Sequence, residues 1–185
     1  MKEALAGVLL DPVEAAGIEV HGRTDAAVLV PLYVESDGRV HAVFTKRRHD
    51  LRRHAGEISF PGGRLDPEDE DLRAAALREA EEEIGLAPGG VEVVGALQPT
   101  PTIATNYAVY PFVGLIEPGQ SWRPAEAEVA EVLELALDDL REGYARRRML
   151  RRGVPFRTDT YVVGEHLIWG ATARMLGDLL DRLSV

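Results

Sequence analysis

The 185-residue sequence predicts an α/β/α sandwich built on a mixed β-sheet, and three observations lead there. Apolar stretches at 26–34 and 39–46 flank Ser36, Asp37 and Gly38, the composition of a hairpin between two strands. A helical stretch follows Gly62 and Gly63 and ends at Gly85. A second helical stretch, HLIWGATARMLGDLLDRL, closes the chain with Leu176, Leu179, Leu180 and Leu183 on one stripe and Trp169 at its entrance. Strands around a central helix, with another helix at the end, suit a sheet covered on both faces.

Taken in order, Met1 to Ala16 reads as one N-terminal helix, because Leu5, Val8 and Leu9 recur at helical spacing. Ala26 to Val34 is a valine-rich strand and Arg39 to Lys46 its alternating return, in which His41 is an ordinary strand residue. Arg47 to Glu57 reads as an exposed basic loop, and Ile58 to Phe60 as a short strand entering the Pro61, Gly62, Gly63 turn. The central helix starts either at Asp66, with Pro67 in its first turn, or near Asp69 to Asp71, and Gly85 stops it. Ala87 to Gly90 is a turn, Val91 to Leu97 a strand, and TPTIATN a polar loop suited to lining a pocket. Tyr107 to Ile116 is the next strand; Tyr107 or Tyr110 can stack on a base, although lone aromatics more often belong to core or rim. EAEVAEVLELALDDL reads as a strand leading into a short helix, Arg141 to Arg152 as a solvated basic cover, and Phe156 to Val163 as a strand.

A chain of this length is expected to form one domain, 1–185, with a sizeable core. With no cysteine, disulfides and thiolate metal sites are excluded, so any metal must take oxygen or imidazole ligands. The first residues carry Asp11, Pro12 and Glu14 too early for a signal peptide or a membrane span, and a cytoplasmic protein without membrane attachment is the expectation. The net charge of −10 argues against broad binding of nucleic-acid backbones. Lys46, Arg47, Arg48, Arg52 and Arg53 nevertheless cluster just before an acidic helix, a juxtaposition that fits a small polyanion plus a metal.

The chemistry is expected on that helix. At ~100° per residue, Glu82 and Glu83 fall within an arc of about 100° around Glu79, while Leu77, Ala80 and Ile84 point the other way. The apolar stripe anchors the helix. The acidic stripe places like charges at i, i+3 and i+4, which costs stability unless something positive sits against it. Glutamate runs are usually solvated faces, but carboxylates are the ligands that Mg²⁺ and Mn²⁺ prefer, and Mg²⁺ commonly shares them with substrate phosphates. Gly62 and Gly63 sit where backbone can approach a ligand.

Gly63, Arg78, Glu79, Ala80, Glu82, Glu83, Gly85 and Leu86 resemble the Nudix box, G-x5-E-x7-R-E-U-x-E-E-x-G-U with U aliphatic. The approach loop carries one extra residue: Glu70 lies one position too far from Gly63, and Asp69 one too far from Arg78. Upstream, VFTKRRHDLRRHAGEISFPGG is similar to the signature preceding the box in coenzyme A pyrophosphatases, matched at Thr45, Arg47, Arg52, Gly56, Phe60, Pro61, Gly62 and Gly63, with Arg48 standing where Ser or Ala is usual. IWGATARML is similar to the end of the same enzymes.

The resemblance implies a Nudix fold and hydrolysis of a nucleoside diphosphate linked to another group, with coenzyme A giving 3′,5′-ADP and 4′-phosphopantetheine. It further implies that Glu79, Glu82 and Glu83 hold Mg²⁺ or Mn²⁺, with the carbonyl of Gly62 as another ligand and Arg78 paired to a glutamate. Glu128 and Glu131 are the candidates for a further ligand or general base. Arg47 and Arg52, with Gly62 and Gly63, are the expected substrate contacts, the arginines reaching the nucleotide end through bidentate bonds to phosphate. The rival readings are a pyrophosphatase for ADP-ribose or another nucleoside diphosphate, and a nucleotide-sensing module without turnover. The intact REAEEEIG argues against the module, which has no need of the full carboxylate set.

Overall fold

The computed structural model describes residues 1–50, 56–102, 105–151 and 153–184. Two short helices, α1 (Lys2–Ala6) and α2 (Pro12–Ala16), precede strand β1 (Thr24–Val34). The single N-terminal helix expected from the sequence is thus broken in two. Asp11 accepts from the N–H groups of Val13 (2.8 Å) and Glu14 (3.2 Å), and Pro12 has no N–H to continue an earlier helix.

β1 pairs antiparallel with β2 (Val40–Arg47), which pairs with β3 (Ile58–Ser59) and β8 (Val129–Ala136). On its other edge β1 runs parallel to β7 (Tyr107–Leu115), whose antiparallel partners are β5 (Glu92–Ala96) and β6 (Thr100–Pro101). The short β4 (Gly62–Arg64) pairs with the start of β1. One parallel pairing among antiparallel ones makes the sheet mixed, as expected.

Strand alternation sorts side chains to two covered faces. Ala27, Leu29 and Val43 meet helix α3 (Leu72–Ile84) through its Ala75, Ala76, Ala80 and Ile84. Val30, Leu32 and Phe44 meet helix α5 (Gly170–Arg182) through Met175, Leu176, Leu179 and Leu180. Each such leucine taken fully out of water contributes about 1.5–3 kcal/mol. Beside α5 lies a sheet that the sequence had only partly suggested, with β9 (Tyr144–Arg151) and β11 (His166–Trp169) on either side of β10 (Val154–Val163). β9 follows helix α4 (Leu137–Glu142), the short helix expected after β8. Residues 144–151 of the stretch read as a solvated basic cover are therefore a strand, with most of its described side chains exposed. Its arginine run hides the apolar alternation by which strands are recognised, and eight paired positions with β10 override the weak local signal. His166 to Trp169 leaves the expected C-terminal helix for the same reason of pairing.

Helix α3 begins at the later of its two expected starts. Asp71 caps it by accepting from Ala74 N–H at 2.7 Å, and Gly85 ends it in the left-handed conformation (φ 73°). Among the described residues no helix is long and apolar enough to cross a membrane.

Candidate active site

Two glycines set the distance between α3 and the sheet. A Cβ on Gly62 would lie 2.3 Å from the carbonyl oxygen of Ala27, and one on Gly63 would lie 2.3 Å from Oε1 of Glu79. Only a backbone without side chains lets β4 slide between β1 and the acidic face of α3.

Glu83 is the innermost carboxylate, 8% exposed, and accepts a hydrogen bond from Gly62 N–H at 3.2 Å. Burial pushes its carboxyl up to about 7; the Gly62 bond and Arg47 pull it down, while the charges of Glu79 and Glu128 push it further up. Burial also raises the Glu79 carboxyl, an effect that Arg78 partly reverses and Glu82 adds to. Glu82 stands exposed at the rim.

Arg78 ties this face to the approach loop. Its Nε and Nη2 donate to the two oxygens of Asp69, each at 2.9 Å, its Nη1 to Glu79 (3.0 Å) and Glu82 (3.3 Å), and its Nη2 also to the Arg64 carbonyl (3.1 Å). The expected glutamate pairing is present, but the bidentate partner is an aspartate. The side chain of Asp69 is only 5% exposed, whereas Glu70 is exposed, so Asp69 is the acid that the loop turns inward. The extra loop residue hid this choice, because spacing alone favours neither.

The loop before β8 is fastened to the C-terminus of α3. Arg123 N–H donates to Ile84 O and Ala125 N–H to Glu83 O, both at 2.9 Å. From the β2 side, Arg48 N–H reaches Glu128 O (3.0 Å) and Arg48 Nη1 reaches Glu126 O (2.7 Å). Glu128 is thereby held near the carboxylates, its Oε2 3.4 Å from Nη2 of Arg47. Glu131 sits elsewhere. It pairs with Lys46 at 3.4 Å, and its alternation with Val132 puts it on the face of the sheet opposite α3. Of the two downstream glutamates, only Glu128 joins the site.

A cavity of about 570 Å³ opens along the α5 face of the sheet, with Arg47, Gly62 and Gly63 in its wall. Nε of Arg47 is buried and without a hydrogen-bond partner among the described residues. Arg52, the other expected phosphate contact, lies outside the described residues. Tyr107 lines the cavity and accepts from Arg64 Nε at 2.7 Å. Tyr110 does not: its ring is in the α3 core and its hydroxyl donates to Ile18 O at 3.2 Å. Thr102 and Thr105 of the polar loop line the cavity as expected.

The donor chemistry fits a hard divalent cation, since every candidate ligand is oxygen and, among the described residues, the buried Glu83 carboxylate has no cationic partner at bonding distance. Among the described residues, however, no three carboxylate or imidazole groups already converge as a metal cage. Arg78 meanwhile pairs with Glu79 at 3.0 Å and with Glu82 at 3.3 Å.

The description NUDIX domain matches residues 23–153. A protein called "Uncharacterized Nudix hydrolase NudL" from Citrobacter koseri is 40% identical over 169 residues, covering 90% of this chain and 86% of that one. Among solved structures, a Nudix hydrolase from M. smegmatis, RenU, is similar with a TM-score of 0.55 at 20% identity, covering 72% of this chain and 81% of that one. A MutT/nudix family protein from Enterococcus faecalis is similar with a TM-score of 0.57 at 14% identity, over 90% and 64% of the two chains. The structural likenesses bear on the fold alone; the family match and the 40% relative decide membership. Nudix hydrolases generally act on nucleotide derivatives by pyrophosphate hydrolysis with divalent cations, and with its glutamate-bearing helix packed on a Gly-Gly turn this chain belongs to the Nudix hydrolases.

Proposed function

We propose that this protein hydrolyses the diphosphate bond of coenzyme A, and by extension of its derivatives, to 3′,5′-ADP and 4′-phosphopantetheine. The observation that carries the reading is the position of Arg47, one of the residues that match the coenzyme A pyrophosphatase signature. It stands at the junction between the α3 carboxylates and a cavity large enough for a nucleotide conjugate, with a buried Nε lacking a partner among the described residues.

In this reading Glu79, Glu82 and Glu83, with the Gly62 carbonyl, would hold Mg²⁺ or Mn²⁺. The cation, when bound, supplies positive charge against the phosphoryl oxygens and acidifies a water. The protein's own groups do the rest. Gly62 N–H and burial position the Glu83 carboxylate, and Arg78, anchored on Asp69, orients Glu79 and Glu82 without touching substrate. Arg47, and Arg52 beyond the described residues, bind phosphate oxygens. Glu128, half-exposed and beside Arg47, accepts the proton of the attacking water. The water oxygen bonds to phosphorus, the bond from that phosphorus to the bridging oxygen breaks, and each product keeps one phosphate of the former diphosphate, the nucleotide product retaining its 3′-phosphate as well.

The test compares coenzyme A, dephospho-coenzyme A, ADP-ribose and NADH with Mg²⁺ and with Mn²⁺, identifying products by mass. Coenzyme A should show the highest kcat/KM. Faster hydrolysis of ADP-ribose would replace the substrate assignment and leave the family assignment standing.

A further inference from the structure

The wall of the cavity away from α3 is basic in a protein whose net charge is −10. Among the described residues Arg47, Arg64, Arg157 and Arg174 line the cavity, against the carboxylate of Glu57. Arg47 belongs to the α3 end through Glu128, Arg64 is engaged by Tyr107, and Arg174 donates to Pro101 O at 2.6 Å. The Arg157 side chain is exposed and makes no hydrogen bond or ion pair among the described residues. Its position opposite it across the β9 and β10 ladder is Arg148, a like-charge pairing that destabilises a sheet by itself.

The same wall contains the first turn of α5. Its N-cap position is Trp169, which has no side chain able to accept from the orphan N–H groups, and no cap bond is made there. Thr172, in that turn, is 7% exposed, lines the cavity, and its hydroxyl makes no hydrogen bond among the described residues. Orphan N–H groups, an unused hydroxyl and an unpaired guanidinium around one space are the donors that a dianion needs.

We propose that the α5 end of the cavity is a second anion site, in which the first-turn N–H groups of α5, the Thr172 hydroxyl and the Arg157 guanidinium take a phosphate monoester borne by the substrate away from its diphosphate. The inference rests on the reading that the diphosphate lies at the α3 face. A 3′-phosphate and a 2′-phosphate on a nucleotide ribose share this chemistry, and the test separates them.

The test uses the full chain without turnover. Binding of adenosine 3′,5′-bisphosphate, adenosine 2′,5′-bisphosphate and 5′-AMP is measured by calorimetry in chelator, with a melting curve for each variant. The bisphosphate whose extra phosphate occupies the site should bind at least about tenfold more tightly than 5′-AMP. Arg157→Ala and Thr172→Val should bring that ratio near one, and Thr172→Ser should restore it. Equal wild-type affinities for all three compounds, or a preference that survives both variants, would overturn the site. Because no hydrolysis is read, a bisphosphate preference in a protein that fails to cleave coenzyme A would keep the anion site and refute the proposed reaction instead.

Discussion

Asp69 and Arg78 form a two-bond clasp, with both N–H···O distances 2.9 Å, and through it the approach loop fixes the guanidinium that holds Glu79 and Glu82. The Arg78 bond keeps the Asp69 carboxyl below its usual range. Its stabilisation is therefore present above the unfolded carboxyl pKa and is lost as pH falls through the lower folded value. Asp69→Asn should cost about 1–3 kcal/mol of unfolding free energy at neutral pH, since it removes a charged acceptor from a partly buried donor. Glu70→Gln should change stability by no more than about 0.5 kcal/mol, as for an ordinary surface site. Denaturant titration of the two variants checks this, and equal effects would mean that the loop acid is not Asp69.

Glu83 gives a pH signature in metal-free protein. Its folded carboxyl is raised to about 7 from the ordinary 4.5, mainly by burial. Between those values the native state holds a proton that the unfolded chain has released, so this group's contribution to stability falls as pH rises through the window and stays low above it. The penalty at pH 8 is about 3 kcal/mol on the scale of 1.36 kcal/mol per pKa unit. Glu83→Gln in chelator should therefore melt higher than wild type at pH 8 and show no such gain at pH 4.5. A variant that melts lower at pH 8 would show that Glu83 is stabilised by a contact outside this account.

Activity should respond in the opposite sense. Glu83→Gln and Glu82→Gln should each lose more than about tenfold in kcat at saturating Mg²⁺ while retaining the wild-type circular dichroism spectrum. A folded variant that turns over near the wild-type rate would remove its residue from the site.

Glu128 and Glu131 are separated by the sheet. Glu128→Gln should lower kcat by about 10²-fold or more, the scale of a lost general base. Glu131→Gln, which only loses a surface ion pair with Lys46, should stay within about twofold. Equal losses would contradict the placement of Glu128.

Much of this site was readable from residue types because helical geometry converts spacing into a face: Glu79, Glu82 and Glu83 needed only the period of α3, and Gly85 marked its end. The hairpin of β1 and β2 was equally plain from its turn residues. Tertiary choices were not legible. Whether Asp69 or Glu70 turned inward depended on loop packing around Arg78, and whether Glu128 or Glu131 reached the site depended on β8 alternation and the fastening of residues 123–128 to α3. The small sheet was obscured because the arginines of β9 present charge at successive positions, erasing the period-two signal. The α5 end of the cavity involves Arg157, which lies in no motif, and Thr172, which lies within IWGATARML without a role assigned to it there, and only their shared wall brings the two together.

If the acidic face of α3 holds a divalent cation, as proposed, the melting temperature of wild type and Glu83→Gln, each with EDTA and with excess Mn²⁺, reads it most directly. A cation that binds the native state better than the unfolded chain must raise the melting temperature, by about 2.7 kcal/mol of stability at a hundredfold excess over Kd. A clear Mn²⁺-dependent rise is expected in wild type, lost or much reduced in Glu83→Gln. Coincident wild-type curves in EDTA and Mn²⁺, or an undiminished rise in the variant, would contradict it.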